Sequence, residues 1–170
     1  RLGVTVLSVE GKGGLRVARA ILVALGVPTY VLADGDFGTS ARKTYKGDTE
    51  AEVAANRANA HGSHKAETER LVGALPLNST PLVGTLPYAF GDDSVVGGDF
   101  TVWKDDIEEE LGAWGSFDAA LATGGITLAS RSNKNLLAYR NAVFAADDAD
   151  LPDILKAVVR QIVALSGHST

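Results

Sequence analysis

No cysteine occurs in the 170 residues, which excludes disulfides and thiolate metal sites. His61, His64 and His168 give no zinc spacing, so a metal would rest on oxygen ligands. An excess of positive charge is missing too. Lys and Arg number 16 against 21 Asp and Glu, a formal net charge of -5, which argues against a broad basic surface and leaves room only for a local contact with DNA. No apolar run approaches the ~18 residues of a membrane span. The opening RLGVTVLSVEG has neither the charged start and apolar run of a secretory signal nor an initiator methionine. A cytoplasmic chain without membrane association is expected, and one that opens on Arg1 directly before a strand is expected to be a piece of a longer protein. Repeats and low-complexity tracts are also lacking.

What is present, 45% hydrophobic and 22% charged residues, suits a soluble globular domain with its own core. Val4, Val6 and Leu7 predict a short strand, turned by Gly11, Gly13 and Gly14. Leu15, Ala18, Leu22 and Leu25 follow at helical spacing until Gly26 and Pro28 stop the helix. TYVLADGD then reads as a second, buried strand, which makes a βαβ unit with parallel strands.

That strand ends in Asp34 and Asp36, at the carboxyl edge where open parallel sheets bind ligands. Residues two apart on a strand face the same way, so the two carboxylates can converge on one point, where a divalent cation would offset their repulsion. Mg²⁺ and Mn²⁺ prefer such oxygen ligands. The competing reading is an Asx-turn at Asp34 with Asp36 solvated.

Farther along, TEAEVAANRANA and HKAETERLVGAL read as two helices, with Glu67, Glu69 and Arg70 on a solvated face. The Pro- and Gly-rich stretch from Pro76 to Phe100 predicts one or two short strands among loops. In TVWKDDIEEELG the acidic run from Asp105 to Glu110 opens a short helix, where the macrodipole favours it, and one member could reach a metal. A basic loop around Arg131 and Lys134 precedes a helix with Leu136, Leu137 and Val143. A last helix, opened by Asp150 or Pro152, carries Ile154, Leu155, Val158, Val159, Ile162 and Leu165 on one face. Lys134 is read either as a phosphate-binding or catalytic lysine or as a surface lysine. GKGG is not a P-loop, since the GxxxxGK[ST] frame is absent. DGDFGT resembles the DxDGT loop of haloacid-dehalogenase-like phosphatases, but Phe37 breaks its spacing. The DxD of GT-A glycosyltransferases is a further likeness without an identifiable nucleotide pocket.

Residues 2–36 carry a longer resemblance. The Gly11-Lys12 turn, the helix, Ala24-Leu25-Gly26-Val27-Pro28 and the strand ending in Asp34-Gly35-Asp36 resemble the Toprim domain of the overcoming-lysogenisation-defect (OLD) family, the nuclease half of ATPase-nuclease proteins. The resemblance implies an α/β Toprim-like (Rossmann-like) parallel sheet flanked by helices, over residues 1–125, with a helical C-terminal addition over 126–170. It implies a metal-dependent DNA endonuclease: Asp34 and Asp36 holding Mg²⁺ or Mn²⁺, Glu108 completing that site or holding a second ion, and Lys134 neutralising the scissile phosphate. Lys12 is the candidate phosphate contact. Implied partners are DNA, an ATPase domain of the same or a partner chain, and further copies through the parent protein. Toprim domains also carry a glutamate after their first strand. Either Glu10 is that residue, or it lies upstream of Arg1; the passage from Gly11-Lys12 into ALGVPTYVLADGD favours the second and leaves Glu10 the lesser candidate. Alternative functions are a haloacid-dehalogenase-like phosphatase and a non-catalytic docking domain for an ATPase.

Overall fold

A computed structural model of the chain describes residues 4–75, 80–127 and 136–167. It is mixed α/β, with helices and a small three-stranded sheet. The chain divides into two compact units, residues 1–106 with 157–170, and residues 107–156. The boundary expected between 125 and 126 lies two residues before 128–135, which are outside the described ones.

In the first unit, α1 (Gly11–Ala24) leads to β1 (Val31–Ala33), α2 (Thr39–Arg42), α3 (Glu50–Val72), β2 (Val95–Val96) and β3 (Phe100–Val102). The sheet order is β1-β3-β2, with β1 parallel to β3 and β3 antiparallel to β2. The sheet is therefore mixed. The core beneath it is Val31, Ala33, Leu71, Val72, Leu75, Tyr88, Val95, Phe100 and Val102, with Leu15 of α1 packed against it.

The helix stop is as the sequence predicts. Gly26 has φ +72°, and its N–H donates to the Val23 carbonyl at 3.0 Å while Val27 N–H donates to Leu22 at 2.9 Å, the paired bonds of a Schellman ending. Four expectations need correction. Residues 4–9 form no strand, because apolar alternation makes a strand only where a neighbour supplies the ladder, and among the described residues none pairs with them. The expected βαβ unit is thereby not formed; the parallel partner of β1 is β3, reached through α2 and α3. Gly11, Gly13 and Gly14 lie inside α1 rather than in a turn before it. The two helices expected between residues 49 and 75 are one, α3, of 23 residues. Thr49 and Glu52 start it with a full capping box. Gly62 in its middle costs about 1 kcal/mol against Ala, which a long packed helix absorbs.

The second unit holds α4 (Ile107–Gly112), α5 (Gly115–Thr123), α6 (Leu136–Ala145), a 3-10 turn (Asp148–Asp150) and the start of α7 (Asp153–Leu165). Trp114 stacks on Phe117 with centroids 5.6 Å apart, and Phe117 meets Tyr139 edge-on at 5.9 Å. Asp150 ties the turn to α5, accepting from Ser116 Oγ at 2.6 Å, Ser116 N at 2.8 Å and Trp114 Nε1 at 3.0 Å.

Candidate functional site

The Asp34-Gly35-Asp36 segment runs tightly against residues 103–105. Trp103 N–H donates to Ala33 O at 2.9 Å, Asp36 N–H to Asp105 O at 2.9 Å, and Phe37 N–H to Lys104 O at 3.3 Å. Any side chain at Gly35 would collide with the carbonyl oxygens of Trp103 and Lys104. This is why glycine separates the two carboxylates. The Thr68 hydroxyl of α3 donates to Gly35 O at 3.0 Å. Asp36 then adopts φ +62°, a left-handed conformation that costs a non-glycine residue about 1–3 kcal/mol and persists only where the surroundings fix it. Strand alternation therefore stops at Ala33 and does not govern where Asp36 points.

Asp36 is the hub of a polar network. Its Oδ2 accepts from Lys12 Nζ at 2.5 Å and lies 3.6 Å from His64 Nδ1, while Oδ1 accepts from Thr39 Oγ1 at 3.1 Å. That hydroxyl also lies 3.3 Å from Asp105 Oδ1; with one proton to give, it is shared between the two carboxylates. Arg42 closes the network, donating to Asp105 Oδ2 and, at 3.0 Å, to Asp106 Oδ2. Partial burial pushes the Asp36 carboxyl up, but the Lys12 hydrogen bond and charge, with Thr39 and His64, outweigh it and hold it below the usual carboxylate range. Lys12 is the one buried residue of α1.

Three turns of α3 face this loop in reverse order: Thr68 at Gly35, His64 at Asp36, and His61 at Ser40, with Nδ1 3.1 Å from the Ser40 hydroxyl. His61 also meets the rings of Phe37 and Phe90 edge-on, at 5.7 and 5.2 Å.

Of the residues singled out in the sequence, Asp36 and Lys12 come together. Asp34 is exposed just beyond β1. Glu10 is the exposed N-cap of α1 and makes no side-chain cap. Glu108 is buried in α4, in the second unit. Lys134 lies outside the described residues. Sequence reasoning overlooked Thr39, Arg42, His64 and the part played by Asp105, which is buried and bound by Arg42. A signal existed for two of them: Thr39 and Arg42 stand three apart on α2, directly after the aspartates.

The donor chemistry, an ionised carboxylate with a hydroxyl and a second carboxylate beside it, fits a hard cation in kind. Among the described residues, no group of three or more His, Asp or Glu is gathered to hold a metal ion. No helix described is long and apolar enough to cross a membrane. Neither the curated proteins nor the solved structures contain a match to this chain. Residues 1–36 match the family model described as overcoming lysogenization defect protein-like, TOPRIM domain, so the stretch that ends on Asp36 is similar to the Toprim domain of OLD-like proteins.

Proposed function

We propose that the chain belongs to a metal-dependent nuclease that hydrolyses the phosphodiester bonds of DNA, as the Toprim half of an OLD-like, ATPase-linked protein. The observation that supports this most is that the family match ends on Asp36, the half-buried carboxylate that Lys12 keeps charged. Toprim domains bind Mg²⁺ and act in nucleic-acid processing. In this reading Asp34 and Asp36 hold Mg²⁺ or Mn²⁺, Glu108 is a separate candidate ligand, and Glu10 is the lesser candidate. Such ions would supply an activated water and charge to stabilise the leaving oxygen.

The chain's own residues supply the rest. Lys12 and His64 hold Asp36 ionised, so it can accept a cation without first losing a proton. Thr39 fixes the Oδ1 edge, and Arg42 balances the carboxylates of Asp105 and Asp106. Lys12 and Lys134 are the proposed contacts to substrate phosphate. The proposed partners are DNA, the ATPase domain and further copies of the parent protein.

The test is nicking of supercoiled DNA with Mn²⁺, alongside calorimetry of Mn²⁺ binding. Asp36→Asn should weaken Mn²⁺ binding at least about tenfold and abolish nicking while the thermal transition is retained. Unchanged Mn²⁺ affinity and nicking in that variant would overturn the proposal.

A further inference from the structure

We infer that Phe37 is a stacking platform for an unpaired base of a single-stranded polynucleotide, and that Lys43 and Lys46 contact the phosphates of that strand. The inference deepens the nuclease reading by naming the form of its substrate.

Phe37 follows Asp36 directly and is 40% exposed, whereas Phe100 and Phe117 are wholly buried. Its ring is nevertheless fixed. His61 and Phe90 meet it edge-on, the latter at 5.4 Å. Gly91, at φ +101°, passes so close that a Cβ there would sit 2.6 Å from the ring. An aromatic packed by two rings and a backbone turn, with 40% of its surface left in water, is suited to stack a base at small entropic cost.

Charge points to the same ligand. The stretch from Phe37 to Gly47, FGTSARKTYKG, has three cations and no carboxylate, in a chain of net charge -5. Arg42 is engaged by Asp105 and Asp106. Lys43 and Lys46 are exposed, with no ion pair among the described residues. Aromatic faces beside a short basic strip are what unpaired strands bind through stacking and phosphate contact. A duplex keeps its bases stacked inside, out of reach of an exposed ring, and a net charge of -5 argues against a broad hold on its backbone.

The test is anisotropy of labelled oligo-dT and oligo-U with the whole chain, in EDTA at low salt. Phe37→Leu keeps an apolar side chain but removes the π-face, and should weaken binding about tenfold. Phe37→Trp should bind as the wild type does, and its new indole should be quenched by the oligomer above the small response of buried Trp103 and Trp114. Replacing Lys43 and Lys46 together by Gln should lower the slope of log affinity against log salt by about 1.4. The inference is overturned if Phe37→Leu binds as tightly as wild type or the new indole is not quenched. It is equally overturned if a duplex of equal length or poly-glutamate binds as well as oligo-dT. Because EDTA removes catalysis, the two proposals fail separately: Phe37-dependent binding without nicking sinks the nuclease reading, and nicking with Phe37-independent binding sinks this one.

Discussion

Residues 4–27 and the small sheet are both rich in apolar side chains, yet they treat them in opposite ways. In the sheet, Val95, Val96, Phe100 and Val102 are 0% exposed. In the leading stretch, Val6 is 88% and Leu25 71% exposed, and the residue that α1 buries is a lysine. The leading part of the stretch that carries the family likeness is thus joined to the rest at Leu15, the Lys12–Asp36 ion pair and the Arg19–Asp99 pair at 2.9 Å, whereas its last residues form β1, paired with β3. Sequence likeness and packing density follow different constraints. The former tracks the approach to Asp36, and the latter is set by which strands find partners.

The largest effect that would sharpen this contrast is Phe100→Ala, expected to cost about 3–5 kcal/mol, since it empties a site sealed on every side. Urea midpoints measure it, and a cost under about 1 kcal/mol would mean that the sheet is not the packed centre. Next is Lys12→Met, expected to cost about 1–3 kcal/mol at pH 7 by leaving Asp36 half-buried without its cation. The pH dependence has a definite sign. Asp36 titrates lower in the folded chain than in the unfolded one, so its contribution is whole above the unfolded value, about 3.9, and is lost as pH falls through the folded value. The gap between wild type and Lys12→Met should therefore shrink on acidification below about pH 4, and a gap that stays constant down to pH 2 would deny the ion pair. The smallest effect is Val6→Ser, expected within about 0.5 kcal/mol of zero. A loss above about 1.5 kcal/mol would show that residues 4–9 are covered in solution and would dissolve the contrast.

Features set by local chemistry are readable in the sequence. Gly26 before Pro28 ends α1 because a left-handed residue and a missing donor act within a few positions, and the run into Ala33 reads as β1 for a similar reason. The strand expected at Val4–Leu7 depended on a distant edge, which no pattern inside those residues specifies. The site divides in the same way. Asp36 and Lys12 each stood out singly, but their pairing spans 24 positions and that of Arg42 with Asp105 spans 63, so neither leaves a periodic trace. The acidic run before α4 was legible from its neighbours, but the bond from the Arg42 guanidinium of α2 to Asp105 was not.

The stripe on α3 has a consequence for how this sequence can vary. Since His61, His64 and Thr68 index Ser40, Asp36 and Gly35 in turn, helix and loop behave like a key and its wards. One residue inserted between His61 and Thr68 would rotate the rest of the stripe by about 100°, and one inserted between Gly35 and Ser40 would shift the loop against it. Single substitutions along either partner leave the spacing intact, whereas a change of length in one is viable only with a matching change in the other. Tolerance to insertion should therefore fall to a minimum at these two segments, whose paired residues stand 21 to 33 positions apart in the chain and act as one unit of inheritance.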